Sequence, residues 1–417
     1  MKIKIVKLLV LLTLFAGLTS GCTKKKAVLT LFTWTPQPEY LVNEELVKEF
    51  TKKYPKITVQ IINDATARSM DKLQTMFAAG TPPDVMSIHG AYYPAFAAKG
   101  ALYELDKFIA ADPGFQLKDF YPGLIKSCTY NGKLYSLPRY TSVYVLFYNK
   151  DLFDTAKLQY PAENWTWAEY LSIAKKLTID ANGDKTVDQY GCMIDFWGSR
   201  VYPWIWQNNG ELFTPDLKKS VVDTPAGIEA LQFLVDLQKK YKVTPQTLPN
   251  EYKNNVEMFT IGKVGMLISG AWDIQNLKPI KSFKWDIAPL PMNKRKATIL
   301  GTENYAISST TKYPEEAWLF YKYLLSAEAQ KIMADKLEKQ PSLMTVAQYF
   351  ESIDTGYNRK VLTGALEYAI QPPNLPQWQE LSHFWQDELD LIWVGKKGVK
   401  AGLTDAAKNI NARLAEK

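Results

Sequence analysis

Residues 27–63 read AVLTLFTWTPQPEYLVNEELVKEFTKKYPKITVQIIN, and their periodicity sets the fold class. The opening AVLTLFTW reads as a strand. Val42, Leu46 and Phe50 then recur at helical spacing until Pro55 stops the run, and KITVQIIN alternates Ile57, Val59 and Ile61 as a strand does. Strand, helix and strand of these lengths make a βαβ unit, which requires a parallel sheet. The chain is therefore expected to be α/β.

The pattern continues outward. SMDKLQTMFAAG reads as a second helix closed by Gly80, TPPDVMSIHG as a turn, a short buried strand and a loop, and AYYPAFAAKGALYEL as a further helix and turn. In such a domain the loops at the carboxyl ends of the strands face the ligand; here they carry Trp34, Asn63-Asp64 and His89 to Tyr93. Downstream, Thr166 and Glu169 sign a capping box ahead of a helix. The apolar run of KVGMLISGAWDIQNL (263–277) ends abruptly at Ser269-Gly270-Ala271, and the tail from Thr363 reads as mostly helical.

The N-terminus addresses location. Lys2, Lys4 and Lys7 precede an apolar run from Leu8 to Leu18, followed by small residues up to Cys22, so residues 1–21 read as a secretory signal too short to span a membrane. A cysteine at the cleavage point resembles the bacterial lipobox, with the departure that Leu18 stands four residues before Cys22. The expectation is lipidation at Cys22 with residues 22–26 as a basic tether. Simple secretion and a retained signal anchor are the alternatives. Loss of residues 1–21 takes three lysines from a formal charge of +7, and the remaining lysines alternate with acids, so no nucleic-acid partner is indicated. With two histidines and no CxxC, structural zinc is not expected, and Cys128 and Cys192 read as buried free thiols.

Ten fragments, among them LTLFTW, AAGTPPDV, YNGKLYSLP, FYNKDLF, NWTWAEYLSIAKKLT, FTIGKVGMLISGAW and AWLFYKYLLSAEAQ, follow one another in the order found in bacterial extracellular solute-binding proteins. The chain resembles the sugar-binding family 1 receptors of ABC importers, similar to maltose-binding protein. The resemblance implies a periplasmic-binding-protein-like (type II) two-lobe Venus flytrap with three inter-lobe crossings, near Pro138-Arg139, Gly301 to Asn304 and Gln340-Pro341. One lobe is then expected from 27–138 plus 303–340 and the other from 139–302 plus 341–417. It further implies a monomer without catalysis or cofactor, held at the extracytoplasmic face. Such a receptor passes a saccharide to ABC permease subunits that are powered by a separate ATPase chain.

A pyranose has apolar faces and polar edges, so its site needs flat aromatic surfaces beside groups that bond hydroxyls. Trp272, at the end of an apolar strand and after Gly270, suits stacking, and the family places a ligand-facing aromatic there. Asp273 beside it either bonds hydroxyls or caps the following helix. Trp34 takes the matching position on the other lobe, and Tyr92 and Tyr93 follow His89 in the third loop. In DFWGSRVYPWIWQNNG, Trp197, Tyr202, Trp204 and Trp206 alternate, so some face the core and others the cleft; Trp197 and Trp204 are the candidates, although sequence does not fix the phase. Arg139 and Glu303 border the expected hinges and either bind hydroxyls or lock the lobes to each other. Trp378 falls where related receptors bring a C-terminal aromatic over the ligand. The chain's 12 Trp and 24 Tyr favour a saccharide over an amino acid or a metal.

Two readings compete. DANGDKTVD places Asp180, Asn182, Asp184 and Asp188 like the first part of a calcium loop, but with Lys185 at the glycine position and Gly191 in place of the last glutamate, so a surface turn is the alternative. A glycosidase needs only two carboxylates at fixed separation, and a secreted carbohydrate-active enzyme remains the rival function. A receptor for a membrane sensor, or for another polar solute such as a glycerol phosphodiester, keeps the fold and changes the task.

Overall fold

The computed structural model describes residues 26–66, 68–194, 196–246 and 252–416; the signal segment 1–21 and Cys22 lie outside the described residues. In chain order the strands are β1 (Ala27–Thr33), β2 (Ile57–Asn63), β3 (Val85–His89), the short hairpin β4 (Thr129–Tyr130) and β5 (Lys133–Leu134), β6 (Leu137–Asn149), β7 (Tyr190–Met193), β8 (Val264–Gly270), β9 (Trp285–Ala288), β10 (Thr298–Ile307) and β11 (Ala369–Ile370). The βαβ unit forms as its pattern dictates. β1 and β2 pair in parallel, Ala27 opposite Ile57 and Thr33 opposite Asn63, and the helix Gln37–Lys53 between them buries Val42, Leu46 and Phe50.

The main sheet runs β2-β1-β3-β10-β6-β8-β7. β10 lies antiparallel to both β3 and β6, and β6 lies antiparallel to β8 and β9. β6 has 13 residues and β10 has 10. At roughly 3.3 Å per residue, β6 extends about 40 Å, long enough to enter two cores. Its first residue, Leu137, packs with Leu31, Phe50, Tyr305 and Tyr321. Further along, Tyr144, Leu146 and Tyr148 pack with Trp165, Trp204, Leu231 and Trp385, while Val143, Val145 and Phe147 on the other face pack with Phe259, Leu267 and Ile274.

Between those cores the β6–β10 ladder is interrupted. Tyr140 faces Glu303 but Pro138 faces Asn304, so Arg139 is an extra residue in β6, a β-bulge. The bulge turns two adjacent side chains to the same side. The Arg139 guanidinium lies 3.0 Å from Glu39 and 5.0 Å from the ring centres of both Tyr140 and Tyr305, and the Tyr140 hydroxyl also reaches Glu39 at 3.3 Å. Lys339, next to the chain's third expected crossing, contacts the same carboxylate at 3.2 Å. Burial pushes the Glu39 carboxyl up, but Arg139 and Lys339 outweigh it and hold it below its ordinary value. A buried charge without such partners would cost several kcal/mol, roughly 3–5 when one partner is removed.

Three local expectations meet the structure here. Cys128 and Cys192 are free and buried, and burial pushes their thiols up to about 11 and about 12. DFWGSRVYPWIWQNNG contains a helix, Gly198–Gln207, with Pro203 inside it. In the DANGDKTVD stretch the side-chain oxygens accept from their own loop: Asp180 from the N–H groups of Gly183 and Lys185, Asn182 from Asp184, Asp184 from Thr186, and Asp188 from Ala181. The Asn182 and Asp184 bonds, each to the N–H two residues on, are Asx turns. Among the described residues no three His, Cys, Asp or Glu side chains are grouped to hold a metal ion.

Helix Trp167–Leu177 packs directly on β7, and Gly191 is what permits it. A Cβ there would lie 1.9 Å from the Ala174 carbonyl oxygen, a backbone atom that cannot rotate away. Gly191→Ala is expected to cost about 1–3 kcal/mol by overpacking. Gly123→Ala, on an exposed helix with nothing within 4 Å of the new carbon, should leave stability equal or slightly higher. Urea unfolding of the two variants beside the parent checks both; equal midpoints for the pair would contradict the packing argument.

Candidate functional site

A cavity of about 690 Å³ opens where the C-terminal ends of β3 and β8 meet the middle of β10. One wall begins with β8, buried along its whole length and ending at Gly270. A Cβ at Gly270 would lie 2.2 Å from the Trp272 ring, so the glycine lets the indole fold back over the strand end. Trp272 meets Tyr144 edge-on, with ring centres 5.3 Å apart and planes at 73°. The Tyr144 hydroxyl bonds the Ser199 hydroxyl at 2.8 Å, and the Arg200 guanidinium lies 5.9 Å from the Tyr144 ring.

Trp197 caps the N-terminus of the helix Gly198–Gln207 and is 47% exposed; Trp272 is 40% exposed. Among the described residues these are the two tryptophans left open to solvent, and both line the cavity. Two partly open indoles in one cavity offer flat apolar surface there.

The helix Trp378–Trp393 forms a polar edge. Gln379, Ser382, His383 and Gln386 line the cavity at the spacing of one helix face, while Leu381, Trp385 and Leu389 on the opposite side are buried. Gln386 anchors the first helical turn beside Trp197 by accepting from the Gly198 N–H at 2.7 Å. A Cβ at Gly198 would lie 2.7 Å from the Trp385 ring, so the two helices touch there. Gln371 donates to the Ser127 carbonyl and to Asn374, and its buried Oε1 has no partner within the protein, an acceptor left for a hydroxyl.

The opposite wall is His89, Gly90, Ala91 and Tyr92. Burial pushes the His89 imidazole down to about 4, so it is neutral at physiological pH. Its Nδ1 accepts from the Ala91 N–H at 3.1 Å, which puts the proton on Nε2 and makes that nitrogen a donor. The His89 ring meets Tyr92 on one side at 6.1 Å and Trp34 on the other at 6.3 Å.

Of the residues singled out in the sequence, Tyr92, Trp197, Trp272 and Trp378 line this cavity. The others stand elsewhere, each for an identifiable reason. Trp34 is half-buried behind His89 and donates its indole N–H to Glu303 at 2.7 Å. Tyr93 is fully buried and donates to the Ser127 carbonyl at 2.8 Å. Trp204 faces the helices Trp167–Leu177 and Pro225–Lys239, against Trp167, Tyr170 and Phe233, because the helix turns it away from Tyr202, which is the cavity-facing residue. Asp273 is turned inward and accepts from Ser269 and from Asn276. Arg139 pairs with Glu39, and Glu303 accepts from Trp34 and Ser87. Burial raises the Glu303 carboxyl to about 7, with Ser87 and Arg139 opposing that rise.

Sequence reasoning left Tyr202 open, as one of the alternating aromatics of 197–206, and missed Tyr144, Ser199, Arg200, Gln371 and the polar edge. The last had a periodic signal, since residues 379, 382, 383 and 386 are polar at i, i+3, i+4 and i+7, although Glu380, Asp387, Glu388 and Asp390 of the same helix are polar too. The single residues had none; nothing local separates a strand tyrosine such as Tyr144 in a core from one at its rim.

The family model described as bacterial extracellular solute-binding protein matches residues 36–331. The maltodextrin-binding protein of Bacillus subtilis (strain 168) is 26% identical over 412 residues, covering 94% of this chain and 91% of the relative. An ABC substrate-binding protein from Listeria monocytogenes in complex with cycloalternan superposes with a TM-score of 0.83 at 28% identity, over 94% of this chain and all of that one. An ABC transporter solute-binding protein from Thermotoga lettingae TMO bound with alpha-D-tagatose gives 0.80 at 26% identity, over 93% of this chain and all of that one. With the long shared strands and paired cores, these place the fold as the two-lobed type II periplasmic-binding architecture. The chain belongs to the bacterial extracellular solute-binding protein family.

Proposed function

We propose that the protein captures a mono- or oligosaccharide in the cavity between two lobes and delivers it to the membrane permease of an ABC importer without chemically altering it. The observation that carries this reading is the pair of open indoles, Trp197 and Trp272, in one cavity whose rim is built of amides, hydroxyls and imidazoles. Flat apolar faces beside fixed hydroxyl-bonding groups are what a pyranose needs. Relatives named for maltodextrin and for galactooligosaccharide, and solved relatives holding cycloalternan and tagatose, support a saccharide. The Streptococcus pneumoniae relative named as a maltooligosaccharide ABC transporter solute-binding lipoprotein supports a lipid anchor at Cys22. We take the working form to be a monomer whose ATPase is a separate chain.

The lobes in this reading are 27–138 with 303–340, and 139–302 with 341–417. Closure then brings the segment after β11 onto the first lobe. Asn374 donates to the Ser127 carbonyl at 2.9 Å and to the Tyr93 hydroxyl at 3.1 Å, beside the Gln371 bond to the same carbonyl. Ligand and clasp therefore favour the same state, as population shift requires.

Thermal unfolding against a panel of mono- and oligosaccharides, with product analysis of the same samples, tests the central claim. A saturable rise in Tm for one glycan with the glycan recovered unchanged is expected; product formation would replace binding by turnover. Trp272→Ala should weaken that binding by about 1–3 kcal/mol with Tm nearly unchanged. Trp204→Ala should instead cost about 3–5 kcal/mol of stability. Asn374→Ala should weaken binding roughly fivefold, about one hydrogen bond's worth. It should also enlarge the radius of gyration of the glycan-free protein in small-angle scattering; an unchanged radius would argue against the clasp.

A further inference from the structure

We propose that Glu303 is a positioning residue for the ligand cavity: its carboxyl fixes the Trp34 indole, and that indole backs His89 in the cavity wall. The inference rests on the reading of the cavity as the ligand site. Trp34 and Glu303 are 269 residues apart in the chain, yet the indole N–H donates to Glu303 Oε1 at 2.7 Å, and Ser87 on β3 donates to the same oxygen. Glu303 is 4% exposed and stands opposite His89 in the β10–β3 ladder, one position from the bulge in the β10–β6 ladder. Trp34 then meets the His89 ring at 6.3 Å, and His89 meets Tyr92 at 6.1 Å. A carboxyl held on a strand shared by both cores thus sets the depth and tilt of a wall it does not itself form.

The groups facing this carboxyl are Arg139 and Tyr140 from β6, Glu39 from the helix Gln37–Lys53, and Tyr305 from its own strand. His89 faces it across the ladder as a neutral imidazole, and Lys339 acts at one remove through Glu39. Burial raises Glu303 to about 7. Since that value lies above the unfolded one, the stability linked to its proton is fully present at low pH and is lost as pH rises through about 7. Glutamine keeps the acceptor for Trp34 and Ser87 and mimics the protonated acid; alanine removes the acceptor.

The test is nuclear magnetic resonance of the 15N-labelled protein, with the Trp34 indole signal assigned through Trp34→Phe. In the parent the Trp34 N–H signal should move with a midpoint near 7, and the His89 ring signals should follow it. In Glu303→Gln both should stay fixed across that range, at the parent's low-pH positions. Glu303→Ala should shift the His89 signals at every pH. Maltotriose serves as the binding probe. Its affinity for the parent should fall roughly three- to tenfold from about pH 6 to about pH 8, because a cleft closed over sugar disfavours the buried anion, and Glu303→Gln should hold the low-pH affinity throughout. A Trp34 signal that does not titrate near 7, or titrates equally in Glu303→Gln, overturns the proposal. So does a titrating Trp34 with His89 unmoved. Failure of maltotriose to bind at any pH counts against the saccharide reading for that glycan, while the resonance arm still decides the role of Glu303.

Discussion

The ladder between β6 and β10 is the constraint on which the other features depend. Both strands enter both cores, so the two halves of the molecule cannot be placed independently: a register change in one ladder would move Leu137 and Tyr305 in one core and Tyr144 and Ile299 in the other. Side chains alternate along a strand, and a one-residue slip would exchange the faces of an entire half. The bulge at Arg139 absorbs one residue of that alternation at the point where the two cores separate. Its consequence is electrostatic. Arg139 is fully buried, and the Glu39 carboxylate with two flanking tyrosine rings makes that burial tolerable.

The distribution of tryptophans follows from the same division. Trp165, Trp204, Trp206, Trp385 and Trp393 are almost fully buried in one core, where large rings contribute most to burial. Trp197 and Trp272 sit where a strand or loop gives way to a helical turn: one before Gly198, the other after Gly270. At such a junction the backbone changes direction, and each ring keeps part of its surface open even where, as Trp272 does on Tyr144, it packs edge-on against a neighbour. In each case a neighbouring glycine admits the close approach, Gly198 to Trp385 and Gly270 to the Trp272 ring itself.

Much of the fold was legible because its signals are local. The spacing of Val42, Leu46 and Phe50, the alternation of Ile57, Val59 and Ile61, and the Thr166–Glu169 capping box all became the elements they predict. The two buried thiols were legible from the lack of any pairing motif. Side-chain phase was less so. Trp204 and Tyr202 are two residues apart on a helix, hence on nearly opposite faces, and no local rule says which face meets the cavity. Long-range partners were not legible at all. Arg139 was read with Glu303 because both border hinges, but the bulge aims it at Glu39, and Glu303 is taken by Trp34 from the other end of the chain.

The two kinds of wall also differ in what they can discriminate. Indole faces accept any ring with an apolar side, so in the proposed saccharide reading Trp197 and Trp272 supply contact area with little choice among sugars. Choice has to come from groups with fixed direction, because a buried donor or acceptor left unpaired by the wrong hydroxyl costs about 1–3 kcal/mol. Gln379, Ser382, His383 and Gln386 are fixed by a helix whose far side is core, and His89 is fixed by Ala91 and backed by Trp34. Gln371 and Asn374 lie on the segment that spans to Ser127, and both donate to its carbonyl. In the proposed saccharide reading, the helix-borne polar edge and this spanning segment are the two sources of directional choice, and a ring bonded by both would favour the state in which they face each other.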